Sequence, residues 1–374
     1  VTLRLPHFFA AAVFPMHGAI VRRVLALWWL ALDGRAVAVI TQSLALAKSR
    51  TITQLQIDSQ PRAAIQWQEA LSFRYIAIPF HEIEAPRELV SSDLPANSSL
   101  GTLMAYVPRK PETDDLFVFL PGSEQLCADY SQLLQSVAGL IRAICLPYDN
   151  LEAISSRCFG SNGCYPDLRL KSFRGDFDGI KNNNIQHRLV GVLNYLGEHD
   201  SRSWSKYLDQ QTNLPIWRRI RLGGHSQGAG HAAFIAYYAE LARVVQFSGV
   251  CDQSDWTKEL GTPVTPADRF YGLASSWDTM CSTSTWQVRS WKAEGALPEG
   301  TSPLQIMSQE SINSTQLHDA HFVISHLRPP KCSKVKMVLN DEYCLVRAHG
   351  STAKNAWWSD PPYSHGLWRD LIGV

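Results

Sequence analysis

Gly224-His225-Ser226-Gln227-Gly228 centres a serine in a G-x-S-x-G pattern, between a segment of strand character and one of helical character. A hydroxyl at a sharp strand-to-helix turn projects above the sheet. Its crowded backbone requires small residues two positions away on either side. Small residues extend further here, through Gly223, Gly224, Gly228, Ala229 and Gly230. The N-terminus of the following helix favours negative charge developing beside the hydroxyl. The chemistry implied is attack by Ser226 on an acyl carbon.

A serine hydroxyl is a weak nucleophile until a base takes its proton, and the base in turn needs an acid to orient it. The chain order that accompanies this turn is serine, acid, histidine. Six histidines follow Ser226, namely His231, His318, His321, His326, His349 and His365. His231 falls in the helix after the turn and reads as structural. His318-Asp319-Ala320-His321 follows Leu304-Gln305-Ile306-Met307, the last segment with strand character. His321 is therefore the favoured base and His318 the alternative. The acid belongs on a loop after a strand, which favours Asp278, beyond Phe270-Tyr271-Gly272-Leu273-Ala274. Asp252, after the preceding strand, is the alternative acid. An oxyanion requires backbone donors. One is the N–H of Gln227, and the other is placed on Ser123, in the turn Leu120-Pro121-Gly122-Ser123.

These groups need a frame. Strand character recurs at 73–78, 101–107, 116–120, 143–146, 217–222, 244–247, 270–274 and 304–307. Helical periodicity occupies 130–143, 185–196 and 229–242. Leu116-Phe117-Val118-Phe119-Leu120 is continuously apolar, as a strand buried on both faces of a parallel sheet should be. Strands alternating with helices predict an α/β fold, a mostly parallel doubly wound sheet with helices on both faces. Residues 150–185, rich in Gly, Asn, Asp and Ser, read as a loop or lid insertion in a single domain spanning 39–374. Lys334 to Tyr343 reads as a hairpin between Cys332 and Cys344.

The segments from Gly224 to Ala233, Val244 to Ser248, Cys251-Asp252, Pro266 to Leu273 and Trp368 to Gly373 together resemble the bacterial BPSS-type putative esterases. That family lies within the α/β-hydrolase superfamily. The resemblance runs from about residue 100 to the C-terminus and implies the α/β-hydrolase fold, with a catalytic triad carried onto Ser226, Asp278 and His321. The expected activity is carboxylic ester hydrolysis through an acyl-enzyme. A peptidase or acyltransferase on the same fold, or an inactive hydrolase-fold binding module, is the alternative.

Bulk properties agree with a globular enzyme. Hydrophobic residues are 45% of the 374, enough for a sizeable core, and 35 basic against 34 acidic residues leave a net charge of +1. Such a balance offers no field for nucleic acid or an anionic membrane, and the partner expected from the esterase reading is a small-molecule ester. Arg22-Arg23, the apolar run Val24–Leu32 and Ala36-Val37-Ala38 have the form of a secretory signal over residues 1–38, with Met16 as an alternative start. No second long apolar stretch follows, so no membrane span is expected in the mature chain, and a secreted or periplasmic location is expected. Eight cysteines, even in number and without a CxxC pair, read as disulfides rather than a metal site. No cofactor is expected. Asn97-Ser98-Ser99 and Asn313-Ser314-Thr315 match glycosylation acceptors.

Overall fold

A computed structural model of the chain describes residues 73–79 and 102–374, except 159–160, 162, 176–183, 201–202, 253–254, 282–283, 309–318, 340, 356–362 and 364–365. The chain divides into two units, 1–62 and 63–374, and the described residues all lie in the second. The expected signal segment, the sequons and His318 fall outside the described residues.

Among the described residues nine strands form one sheet: β1 (Phe73–Pro79), β2 (Thr102–Pro108), β3 (Leu116–Leu120), β4 (Arg142–Cys145), β5 (Ile220–His225), β6 (Arg243–Phe247), β7 (Phe270–Ser275), β8 (Leu304–Ile306) and β9 (Phe322–Ser325). Their spatial order is β1-β2-β4-β3-β5-β6-β7-β9-β8. β1 and β2 pair antiparallel, as do β2 and β4, and every pairing from β4 onward is parallel.

Alternation along β3 shows how the sheet is buried on both sides. Leu116, Val118 and Leu120 join one core cluster, while Phe117 and Phe119 join the cluster on the opposite face. Helices cover both faces. α1 (Ser131–Val137) lies on the phenylalanine side. α2 (Cys164–Arg174), α3 (Ile185–His199) and α4 (Gln227–Ile235) lie on the other. α3 aims Ile185, Leu189, Val192, Leu193 and Leu196 inward at helical spacing, each burial contributing roughly 1.5–3 kcal/mol. It starts where the Asn184 side chain accepts the His187 N–H at 2.8 Å. α5 is Ser284–Ala293, α6 is Lys334–Val338, α7 is Glu342–Gly350 and α8 is Leu367–Ile372. The Arg221 and Arg243 guanidiniums donate to carbonyls of the last turn of α8, suiting the negative end of a helix.

Three expectations are corrected. The segment 150–185 is not all loop: a one-turn helix spans Ile154–Arg157, and α2 packs Phe173 into the core. The 334–343 hairpin is replaced by α6 and α7, because Ser333 and Asp341 cap helix starts by accepting from Lys336 N–H and Cys344 N–H. β9 carries no strand assignment from the sequence; in space it inserts between β7 and β8. Among the described residues no helix is long and apolar enough to cross a membrane.

Glu294 lies buried beside the sheet, accepting from the side chain of Gln246 on β6 at 2.7 Å. Burial raises its carboxyl from the ordinary 4.5 to about 8. The unfolded chain therefore releases this proton near 4.5 and the folded chain only near 8. Between those values stability falls as pH rises, by up to about 1.4 kcal/mol per pH unit. Glu294→Gln should flatten that slope in a calorimetric series of melting temperature against pH; an unchanged slope would assign the dependence elsewhere.

Candidate active site

β5 ends at His225 and α4 begins at Gln227, leaving Ser226 as the single residue of the turn, with φ 55° and ψ −117°. Few non-glycine residues adopt such a backbone, and its cost is sustained only by dense surroundings. The close approach is measurable. A Cβ on Gly224 would sit 2.3 Å from the carbonyl carbon of Gly228, and one on Gly228 would sit 2.1 Å from the Leu120 oxygen. The Ser226 N–H donates to Phe247 O at 2.9 Å, fixing the turn to the end of β6.

The loop after β3 packs against this turn. A Cβ on Gly122 would lie 3.2 Å from Ser226 Cβ. The buried Asn150 side chain donates to Gly122 O at 2.5 Å and Gln125 O at 2.9 Å, and the Asn150 backbone carbonyl accepts from Glu124 N–H at 2.7 Å. Ser123 Oγ donates to Gln227 Oε1 at 2.8 Å, and the Ile154 N–H donates to the same oxygen at 3.0 Å. The two residues expected to supply oxyanion donors, Ser123 and Gln227, are thus brought together beside Ser226.

Asp278 follows β7 and is fully buried. Its Oδ1 accepts from Met280 N–H at 3.1 Å, and its Oδ2 accepts from Nδ1 of His349 at 2.8 Å. His349 stands near the end of α7 and is 8% exposed. In the neutral ring Nδ1 donates its N–H to the carboxylate and Nε2 keeps a lone pair. The His349 ring lies 4.8 Å from that of His225, the residue before Ser226. Beyond His349, Thr352 Oγ1 pairs with Ser248 Oγ at 2.9 Å, and Lys354 Nζ donates to Gln125 Oε1 beside the Gly122 loop. The C-terminal segment therefore spans the acid loop and the loop after β3.

His321, expected as the base, stands elsewhere. It immediately precedes β9, its Nδ1 lies 3.2 Å from the carbonyl of Phe270 at the start of β7, and its ring stacks on Tyr271 at 4.2 Å. Because β5, β6, β7 and β9 are parallel, His321 sits at their N-terminal ends, whereas Ser226 follows the C-terminal end of β5. The expectation treated 304–307 as the last strand. β9 comes after His321, so the histidine precedes the last strand instead of following it. The one sequence signal for His349 was its place in the list of downstream histidines, and the hairpin reading of the preceding residues removed the helix that carries it.

Asp252, the alternative acid, is engaged otherwise. Arg169 of α2 grips it twice, at 2.6 and 2.7 Å, and the Trp256 indole N–H donates to it at 2.7 Å. Both partners of this ion pair are buried. His231 is wholly buried, edge-on to Tyr148, and burial holds its imidazole well below the usual histidine range.

All eight cysteines pair, as Cys127–Cys145, Cys158–Cys164, Cys251–Cys281 and Cys332–Cys344. The third joins the Asp252 loop to the Asp278 loop, and the fourth links the start of α6 to α7. Ligand atoms of Cys251, Cys281 and His349 lie within 4.8 Å of one another, a spacing compatible with a metal ion. With the sulfurs joined to each other and His349 Nδ1 turned to Asp278, that set presents no thiolate.

The sheet order, the antiparallel β2 beside a parallel run, helices on both faces and the strand–turn–helix at Ser226 define an α/β-hydrolase-like fold. No family model matches the chain, and no curated protein matches it. Solved structures resemble it distantly. An alpha-beta serine hydrolase homologue from Coxiella burnetii shares 14% identity, over 66% of this chain and 92% of its own, with a TM-score of 0.33. An S-formylglutathione hydrolase from Agrobacterium tumefaciens shares 14%, over 77% and 100%, at 0.34. A feruloyl esterase module from Clostridium thermocellum shares 11%, over 80% and 99%, at 0.32. The narrower resemblance to BPSS-type esterases has no matching family model behind it.

Proposed function

We propose that the chain is a serine esterase acting through an acyl-enzyme, with Ser226 as nucleophile, His349 as base and Asp278 as the acid that orients it. The observation that carries this reading is the buried Asp278–His349 hydrogen bond, set beside the residue that precedes a serine of strained backbone. His349 Nε2 takes the Ser226 proton as Oγ bonds to the ester carbonyl carbon. The N–H groups of Gln227 and Ser123 receive the resulting oxyanion. The imidazolium returns its proton to the departing alkoxide, and water, deprotonated by the same histidine, releases the acid. Four disulfides favour an oxidising compartment and so support a secreted or periplasmic enzyme.

The test is labelling by a fluorophosphonate probe with p-nitrophenyl ester turnover in parallel, for the wild type and Ser226→Ala. Both signals should be present in the wild type and vanish in the variant. A folded wild type that neither labels nor turns over would refute the esterase and favour a hydrolase-fold binding module. Labelling without ester turnover would favour a peptidase or acyltransferase.

A further inference from the structure

His225 is the last residue of β5 and adjoins Ser226, yet its side chain points into the protein and is 2% exposed. Its Nε2 lies 2.9 Å from the backbone carbonyl of His349, and its Nδ1 lies 2.9 Å from the hydroxyl of Tyr130. Tyr130, fully buried ahead of α1, accepts the Gly122 N–H at 3.0 Å. Gly122 is pressed so close that a Cβ there would lie 3.0 Å from His225 Nδ1.

The directions of these bonds follow from their chemistry. A carbonyl only accepts, so His225 Nε2 carries the proton. Its Nδ1 is then a lone pair and must accept the Tyr130 O–H. The Tyr130 oxygen is left to accept from Gly122. The relay has one sense: Gly122 N–H to Tyr130, Tyr130 O–H to His225, His225 N–H to His349. Burial and the adjoining His349 hold the His225 imidazole well below the usual range, and burial holds the Tyr130 hydroxyl well above its own. Neither partner changes its protonation near neutral pH, so the direction is fixed.

We propose that His225 is a positioning residue, which through Tyr130 and the His349 carbonyl locks the oxyanion loop and the base into one rigid unit around Ser226. This rests on the reading of His349 as base. Its place in the sequence supplies the economy of the arrangement. The residue that precedes the nucleophile already moves with it, so tying its ring to both loops references donors and base to the same backbone. Misplacing a catalytic group by an ångström costs about 10²-fold in rate. The relay therefore bears on turnover rather than on ground-state binding.

Three variants test this. His225→Gln can present an amide N–H where Nε2 sat, His225→Ala presents nothing, and Tyr130→Phe keeps the ring while removing the hydroxyl. In kinetics, His225→Ala should lower kcat by about 10²-fold with KM within about twofold, and His225→Gln should recover most of that loss. Tyr130→Phe should lower kcat by about tenfold. The structural readout needs no turnover. Ring ¹⁵N NMR of the wild type should find His225 as the Nε2–H tautomer, unchanged through the neutral range. The downfield His349 Nδ1 proton facing Asp278 should persist in His225→Gln and disappear in His225→Ala. The opposite wild-type tautomer, or a His349 proton unchanged in His225→Ala, would overturn the proposal. So would equal damage from the alanine and glutamine variants with loss only of thermal stability. If the wild type proves inactive the esterase reading fails, and the NMR readout still decides the relay.

Discussion

His349→Ala should lower kcat/KM for a p-nitrophenyl ester by about 10⁴- to 10⁶-fold, whereas His321→Ala should stay within about threefold of the wild type. In the proposed triad the first change removes the group that accepts the Ser226 proton. Its carboxylate partner, Asp278, would remain buried with one hydrogen bond fewer. The second removes a half-buried ring stacked on Tyr271 and one hydrogen bond to Phe270 O, at the other end of the parallel strands. That loss is a matter of about 1 kcal/mol of stability and touches no reacting atom. Stopped-flow or steady-state assays on both variants, with circular dichroism to confirm folding, decide between them. A large loss in His321→Ala with normal turnover in His349→Ala would reverse the assignment of the base.

A comparable contrast separates the two acids. Asp278→Asn should lower kcat by about 10⁴-fold with little change in fold, because an amide facing Nδ1 can donate as well as accept and no longer enforces the Nδ1–H tautomer. His349 would then place its proton on Nε2 for part of the time, where it blocks transfer from Ser226. Asp252→Asn should leave kcat per folded molecule within a few fold, yet lower stability by about 3–5 kcal/mol, since Arg169 would remain buried without its carboxylate. Turnover normalised to active-site titration measures the first effect, and chemical denaturation measures the second. Normal turnover in Asp278→Asn together with a collapse in Asp252→Asn would transfer the acid's role. Both carboxylates look suitable in the sequence because each follows a strand, Asp252 after β6 and Asp278 after β7, and the Cys251–Cys281 bond joins the two loops that carry them.

Much of the frame was legible because it follows from short-range rules. The continuous apolar run at 116–120 announced a strand buried on both faces, and its five residues are indeed fully buried. The Leu and Val spacing of 185–196 announced α3. The small residues around Ser226 announced the turn, and steric contacts of 2.1 to 2.3 Å awaiting any Cβ at Gly228 or Gly224 show why no larger residue fits there. Less was legible where polar capping competes with apolar patterning. Lys334 to Tyr343 alternates enough to look extended, but the Ser333 and Asp341 side chains satisfy the first N–H groups of two helices. β9 is four residues long and buried throughout, so it shows no alternation, and its apolar run of Phe322-Val323-Ile324 is too short to stand out from the flanking loop.

What the sequence by itself determined is the tight turn at Ser226 and the parallel α/β sheet beneath it, because both depend on residue size and periodicity within a few positions of one another. The choice among six histidines and two carboxylates depended on something else: which chain segments the tertiary structure returns to the C-terminal ends of the strands. His349 lies 123 residues beyond Ser226 in the sequence. It is brought back by helix caps, by the Cys332–Cys344 bond, and by hydrogen bonds that tie His349, Thr352 and Lys354 to His225, Ser248 and Gln125. No local pattern encodes that return, since it is the sum of long-range contacts that exist only once the sheet has formed.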